Sequence, residues 1–274
     1  MKWYVGLLVI IAVLALGGLI AAWVSGLLFE RRIDDLRERM IASQGAVTGQ
    51  AASPPEIMRA FAVKAGGTLG GAAVLYARHK AHLVTNRGQP PLAIEAEQWT
   101  GTRTPGLVWE ARGVMMGLPV RVVDAYVEGN GLLEARLGGA VRVAGGSGPE
   151  FAKGELMRYL SELPFHPDAI LNARGLAWRQ LDERTVEVTA QSAHDAATVR
   201  FLFDAAGDIV GMEADDRPMA EGNAVVPRPW HGTYARYAQF GAYRIPSYGE
   251  VGWVLEGGFF TYWQGEVVAY APLE

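Results

Sequence analysis

Glu155, Arg158 and Glu162 fall at i, i+3 and i+7 of the run Glu150 to Leu163, which sets two carboxylates around one guanidinium on a single helical face. An arginine so placed can orient an anionic substrate while a carboxylate acts as base. His166 follows in a stiff Pro164–Pro167 turn with Asp168 two residues on, and imidazole is the natural proton carrier near neutral pH. A small hydrolase or isomerase using Glu155, Arg158, Glu162 and His166 is therefore one expectation. A structural explanation competes with it. Leu156, Tyr159, Leu160 and Leu163 supply an apolar face, so the charged set also reads as its solvated side, each pair contributing ~0.2–0.5 kcal/mol. No serine-centred elbow accompanies the set, and no residue is assigned as catalytic.

The other candidates are weaker. His79 and His82 stand three apart beside Arg78 and Lys80, without a carboxylate partner in view, and His194 and His231 are isolated, so no metal site is expected. The chain has no cysteine, which removes thiolate chemistry, iron–sulfur clusters and cysteine zinc sites. Its glycine-rich stretches, such as Gly145-Gly146-Ser147-Gly148, carry neither a phosphate-loop lysine nor a dinucleotide fingerprint, and no cofactor is expected. Net charge is −4 with both signs interspersed, which argues against a nucleic-acid partner.

Aromatic residues are the remaining unusual feature. Trp99, Trp109, Trp178, Trp230, Trp253 and Trp263 lie in or beside strand-like runs, together with Phe201, Phe203, Phe259, Phe260 and Tyr262. In a closed sandwich they would be core. In a half barrel under one helix, Trp99, Trp109, Tyr159, Trp178, Phe201, Phe203, Trp253 and Trp263 would line a cavity for an acyl chain or another apolar ligand. Periodicity does not separate the two cases.

The elements that must position these groups are mostly strands. Val120 to Val127 and Leu132 to Leu137 flank Glu128-Gly129-Asn130-Gly131, where Asn130-Gly131 is a hairpin signal. Further pairs are Val199 to Phe203 with Ile209-Val210, Ala177 to Leu181 with Thr185 to Ala190, and Val251 to Leu255 with Phe259 to Trp263. Short turns make antiparallel meanders, whereas a doubly wound sheet would need a helix between strands, and Glu150 to Leu163 is the only long helical run after the N-terminal region. The expected fold is α+β and mainly β: a curved antiparallel sheet, or half barrel, with one packed helix. Residues 53–274 form a single domain that opens on a short helix, with Ser53 and Glu56 at capping-box spacing, Ile57 and Phe61 on its apolar face, and Gly66-Gly67 at its end.

Before this domain, Trp3 to Phe29 holds no charge, and at ~1.5 Å per residue it reaches about 40 Å, more than the ~30 Å hydrocarbon core. A cleaved signal would have a shorter apolar core and a better cleavage site than Ala21-Ala22-Trp23, so residues 1–29 read as an uncleaved transmembrane anchor. Residues 30–52 form a charged juxtamembrane helix, with Ile33, Leu36 and Met40 on one stripe expected to lie at the headgroups, and then a flexible tether of small polar residues. Arg31, Arg32, Arg37 and Arg39 outnumber Lys2 across the span, which favours the cytoplasmic side for the domain.

The run Gly154-Glu155-Leu156-Met157-Arg158-Tyr159-Leu160-Ser161-Glu162-Leu163-Pro164-Phe165-His166-Pro167 resembles the hallmark of a bacterial domain-of-unknown-function family. Ala96-Glu97-Gln98 before Trp99, Trp109-Glu110-Ala111-Arg112, Asp124-Ala125-Tyr126, Pro229-Trp230, Trp253 and Tyr262 follow the same pattern in order. The resemblance covers about residues 53 to 271 and brings no established activity. Its architecture looks like the lipoprotein-carrier (LolA/LolB-like) half barrel, with an apolar lining and a helical lid. The anchor and arginine-rich flank depart from that free periplasmic carrier. The leading reading is a membrane-tethered module for a lipid-like or other apolar ligand, with the enzyme and a structural or protein-interaction domain as alternatives.

Overall fold

The computed structural model describes residues 2–45, 51–192, 195–222 and 224–273. A single helix, α1 (Lys2–Ser43), precedes α2 (Glu56–Lys64). Six strands follow, β1 (Val74–Leu83), β2 (Leu92–Gly101), β3 (Leu107–Met115), β4 (Leu118–Val127), β5 (Asn130–Leu137) and β6 (Val141–Ser147). A helical crossing of α3 (Pro149–Ser161), one 3-10 turn and α4 (Pro167–Asn172) then leads into seven more strands. These are β7 (Leu176–Gln180), β8 (Thr185–Gln191), β9 (Ala196–Phe203), β10 (Ile209–Glu221), β11 (Ala224–Phe240), β12 (Tyr243–Leu255) and β13 (Gly258–Pro272).

All thirteen strands form one antiparallel sheet in the order β6-β5-β4-β3-β2-β1-β13-β12-β11-β10-β9-β8-β7. Two meanders thus meet where β1 pairs with β13, and the outermost strands, β6 and β7, are joined by the helical crossing. That connection dictates curvature. Laid flat, twelve inter-strand steps at ~4.8 Å would hold β6 and β7 about 58 Å apart, whereas α3 is only about 20 Å long and touches both β5 and β9. The sheet curls into a half barrel, and α3 lies across its concave face.

Leu156, Met157, Tyr159, Leu160 and Leu163 are fully buried there. Four tyrosines bolt the crossing down. Tyr159 donates to the Gly101 carbonyl (3.1 Å), Tyr234 to the Ser161 carbonyl, Tyr270 to the Phe165 carbonyl, and Tyr243 to the Asp168 carboxylate (2.7 Å). The other oxygen of Asp168 accepts the Thr68 amide at 2.8 Å. The crossing is a fixed wall.

Several local expectations are corrected. The β4–β5 turn is Glu128-Gly129, both with positive φ (51° and 82°), the requirement of a two-residue primed turn. Asn130-Gly131 opens β5 instead, because a Cβ on Gly131 would overlap the Phe151 carbonyl where α3 begins. Ser53 makes no capping bond, since α2 starts after Pro55 and Glu56 pairs with Arg59.

The amphipathic stripe of α1 is covered by the domain itself. Phe29, Ile33 and Met40 pack with Val108, Val123 and Val127 on the convex face. Arg32 reaches Glu134 (2.7 Å), Arg136 caps the Ser25 carbonyl (3.3 Å) and lies 4.5 Å over the Phe29 ring, and Arg121 joins Glu30 to Glu110. Toward the N-terminus the contact ends at the β5–β6 turn, where Ser25 donates to the Ala140 carbonyl. From Trp3 to Ala21 every described side chain is exposed, a length of about 29 Å. This helix is long and apolar enough to cross a membrane.

Candidate functional site

Between α3 and the strands β1–β4 and β10–β13 lies a cavity of about 330 Å³. Its apolar wall is built by Trp109, Trp230, Met219, Val251, Trp253 and Trp263. Alternation along each strand supplies these residues: Leu107, Trp109 and Ala111 of β3 face inward while Val108 faces α1. Among the lining residues His166 is 2 % exposed, whereas Glu150 at the start of α3 and Val225 (46 %) are exposed, so the cavity opens beside Glu150 and has a mouth at the Val225 end. That end holds the β10–β11, β1–β2 and β3–β4 turns, and it is the end from which α1 leaves the domain.

The deep end is polar. Arg158 donates from Nε to Glu162 (2.8 Å), from Nη1 to Asp124 (2.5 Å) and from Nη2 to Gln98 (3.3 Å), and its guanidinium stacks 5.0 Å from the Trp109 ring. Each nitrogen of this cation thus has a partner, and two of the three are carboxylates. Burial pushes the Glu162 carboxyl up, but the adjoining guanidinium more than reverses this and holds it below the usual carboxylate range. Gln98 also donates to Glu162.

Arg217 differs. Its guanidinium sits 4.1 Å from the Trp230 ring, its nearest carboxylate oxygen is Glu155 Oε1 at 3.8 Å, and its Nη1 has no hydrogen-bond partner among the described residues. Glu155 is a poor counter-ion. Its carboxyl is raised well above the ordinary range, first by burial and then by the Asp124 carboxylate beside it. The long contact with Arg217 does not offset those two effects. In the same cavity Trp109 Nε1 is buried without a hydrogen-bond partner among the described residues, and the Glu155 and Asp124 carboxyls lie against each other.

His166 stacks on Tyr270 with ring centroids 6.2 Å apart, and His79 meets Trp263 edge-on at 6.4 Å. Burial lowers both imidazoles to about 4, so they are neutral near pH 7. His82, an odd number of positions along β1, faces the opposite side and cannot share a ligand with His79. His231 lies on β11, and His194 is outside the described residues.

The signature residues Glu155, Arg158, Glu162 and His166 therefore converge on one cavity. Glu155 is not the hydrogen-bonded partner of Arg158; Asp124, 34 positions away, takes that place. Of the eight residues expected to line a cavity, Trp109, Trp253 and Trp263 do so. Trp99 points out of the barrel beneath Arg37 of α1 (4.9 Å), because Gln98 takes the inward position. Tyr159 is turned to Gly101. Phe201 and Phe203 fill solid core beside α2, with Phe61 6.3 Å from Phe203, and Trp178 packs on the rim of that core. The cavity occupies only part of the concave face, and α2 with α3 fills the rest.

Residues 48–265 match a family of unknown function, DUF6544, and the chain belongs to that family. No curated protein matches the chain. Among solved structures it is similar to a domain assigned as an outer membrane lipoprotein-sorting protein from Vibrio parahaemolyticus, at 12 % identity and TM-score 0.42, over 80 % of this chain and 93 % of that one. It is also similar to a DUF1329 family protein from Desulfovibrio piger (11 %, 0.44, 81 % and 94 %) and a LolA superfamily protein from Nitrosomonas europaea (6 %, 0.39, 79 % and 94 %).

Proposed function

We propose that this DUF6544 member is a membrane-tethered binding module that holds the apolar chain of a lipid-like ligand in the half-barrel cavity. The observation that carries the reading is the cavity of about 330 Å³, walled by Trp109, Trp253, Trp263 and Met219, with its mouth on the end from which α1 departs. A volume near the lower end of the ~300–1,000 Å³ range of small-molecule pockets suits one acyl chain better than two. In this reading α1 spans the bilayer, its free length of about 29 Å matching the ~30 Å hydrocarbon core, and the mouth faces the lipid. Arg31, Arg32, Arg37 and Arg39 after the span favour the cytoplasmic side for the domain in this reading.

Binding is favoured over the hydrolase or isomerase by the state of the ionisable groups. Arg158 is committed to two carboxylates and an amide, so its charge is already matched and is not free to hold an anionic substrate. His166, lowered to about 4, is a weak base at neutral pH.

Lipid extraction and mass spectrometry of the full chain, purified from membranes in a polymer without added detergent, test the reading. A single-chain amphiphile in near-stoichiometric amount is expected. A chain that carries nothing, and takes up no apolar probe when offered one, overturns it.

A further inference from the structure

The cavity is lined by two buried arginines that are treated unequally. Arg158 is held by two carboxylates and one amide. Arg217 is as deeply buried, yet its nearest carboxylate oxygen stands 3.8 Å away on Glu155 and its Nη1 has no hydrogen-bond partner among the described residues. A buried guanidinium without a matched anion is strongly unfavourable, so a site that keeps one is short of an anion. Trp109 adds a second unpartnered donor, since an indole N–H can only donate. Glu155, raised well above the usual carboxylate range by burial and by the Asp124 carboxylate against it, is no matched anion for Arg217.

We infer that Arg217, with Glu155 beside it and the Trp109 indole N–H in the same cavity, is the binding site for the anionic head of a single-chain amphiphile whose tail packs on the Trp253 and Trp263 rings. This rests on the proposed apolar-ligand reading and adds the chemistry of the head. A carboxylate and a phosphate monoester both meet it, each presenting oxygens to a guanidinium in a plane. The apolar length of the cavity excludes neither. A neutral head, in contrast, would leave the Arg217 charge unmatched in the apolar interior.

Three diazirine-bearing probes of equal chain length test this on the full chain in phosphatidylcholine vesicles: a fatty acid, an alkyl phosphate and a fatty alcohol. Photolabelled peptides are mapped by mass spectrometry, with labelling of residues 217–230 and 249–263 read as occupancy. One or both anionic probes should label these segments about tenfold more than the alcohol, the factor for one charge-assisted hydrogen bond, and the stronger of the two identifies the head. Arg217→Gln should lower anionic labelling to the alcohol's level, and Arg217→Lys should keep most of it. Equal labelling by alcohol and anions in the unaltered chain overturns the anionic head while leaving a lipid-binding cavity in place, a result that needs no variant to fold. Absence of cavity labelling by all three probes overturns the apolar-ligand reading itself.

Discussion

Replacing Arg158 by alanine removes the one cation that compensates two buried carboxylates on the cavity floor. The side chain is only 15 % exposed and donates to Glu162 at 2.8 Å, Asp124 at 2.5 Å and Gln98 at 3.3 Å. Two hydrogen bonds between charged groups, each ~1.5–3 kcal/mol, agree with the ~3–5 kcal/mol cost of removing one partner of a buried ion pair. Against a total stability of ~5–15 kcal/mol, this is a large share. At a urea slope of ~2.5 kcal/mol/M, a loss of about 4 kcal/mol moves the midpoint down by about 1.6 M. The pH dependence carries a second signature. In the native chain the Glu162 carboxyl lies below its ordinary range, so its stabilising contribution is present above the unfolded pKa and is lost as pH falls through the lower folded value. Without the guanidinium, burial, the largest influence on Glu162, is opposed only by the weaker effects of His166 and the Gln98 amide, so the carboxyl rises and the sign reverses. The deficit of Arg158→Ala should therefore be greatest near pH 7 and shrink toward pH 4. Urea unfolding of the full chain in a nonionic detergent at both pH values measures this. A deficit below ~1 kcal/mol at unchanged slope, the value of an exposed pair, or one independent of pH, refutes the reasoning.

Burial lowers His79 and His166 from 6.5 to about 4, so the folded chain binds fewer protons than the unfolded chain between those values and loses up to about 3 kcal/mol per imidazole as pH falls from 6.5 to 4. NMR titration should show two of the five histidines still neutral at pH 5.5; titration of all five above pH 6 refutes this. Because the chain has no cysteine, Met116→Cys and Leu14→Cys each accept a single environment-sensitive label. Met116 is 93 % exposed on the β3–β4 turn at the mouth end, so in vesicles with bilayer quenchers both labels should be quenched and one at Asn130, at the other end of β4, should not. Quenching at Leu14 alone would show that the mouth faces away from the lipid. Glu134→Gln weakens the ion pair with Arg32 (2.7 Å) that holds α1 to the convex face and the one within β5 (2.6 Å) that positions Arg136 against Ser25 and Phe29, and hydrogen exchange across residues 29–40 should rise at least several-fold while that of α3 is unchanged. Equal protection in variant and wild type would mean that apolar packing alone docks the helix.

The long elements were legible because their periods are local. The apolar face of α3 recurs at 3.6 residues between Gly148 and Pro164, and the hairpins of β4–β5, β7–β8, β9–β10 and β12–β13 announce themselves by alternating residues around short turns. Of the partners of Arg158, Glu162 was legible at i+4, whereas Asp124 and Gln98 come from strands 34 and 60 positions earlier and only the curl of the sheet brings them in. The spacing suggests Glu155 as the third member because a surface helix keeps its charges on one side. On α3 that premise fails: both flanks of the helix face strands, so Arg158 turns to β4 and Glu155 to β10. Trp99 failed for a related reason. Alternation identifies the inward face of a strand only when the outward face meets water. Here α1 covers the convex side of β2 to β5, so Leu107, Val108, Trp109 and Ala111 are all buried in succession and the alternation that would tell inside from outside is lost. The stripe Ile33, Leu36 and Met40 showed that α1 would be covered on one side. That its cover is this domain, and that Trp99 consequently belongs to a second core outside the barrel, follows only from the meeting of a helix and strands separated by some sixty residues of chain.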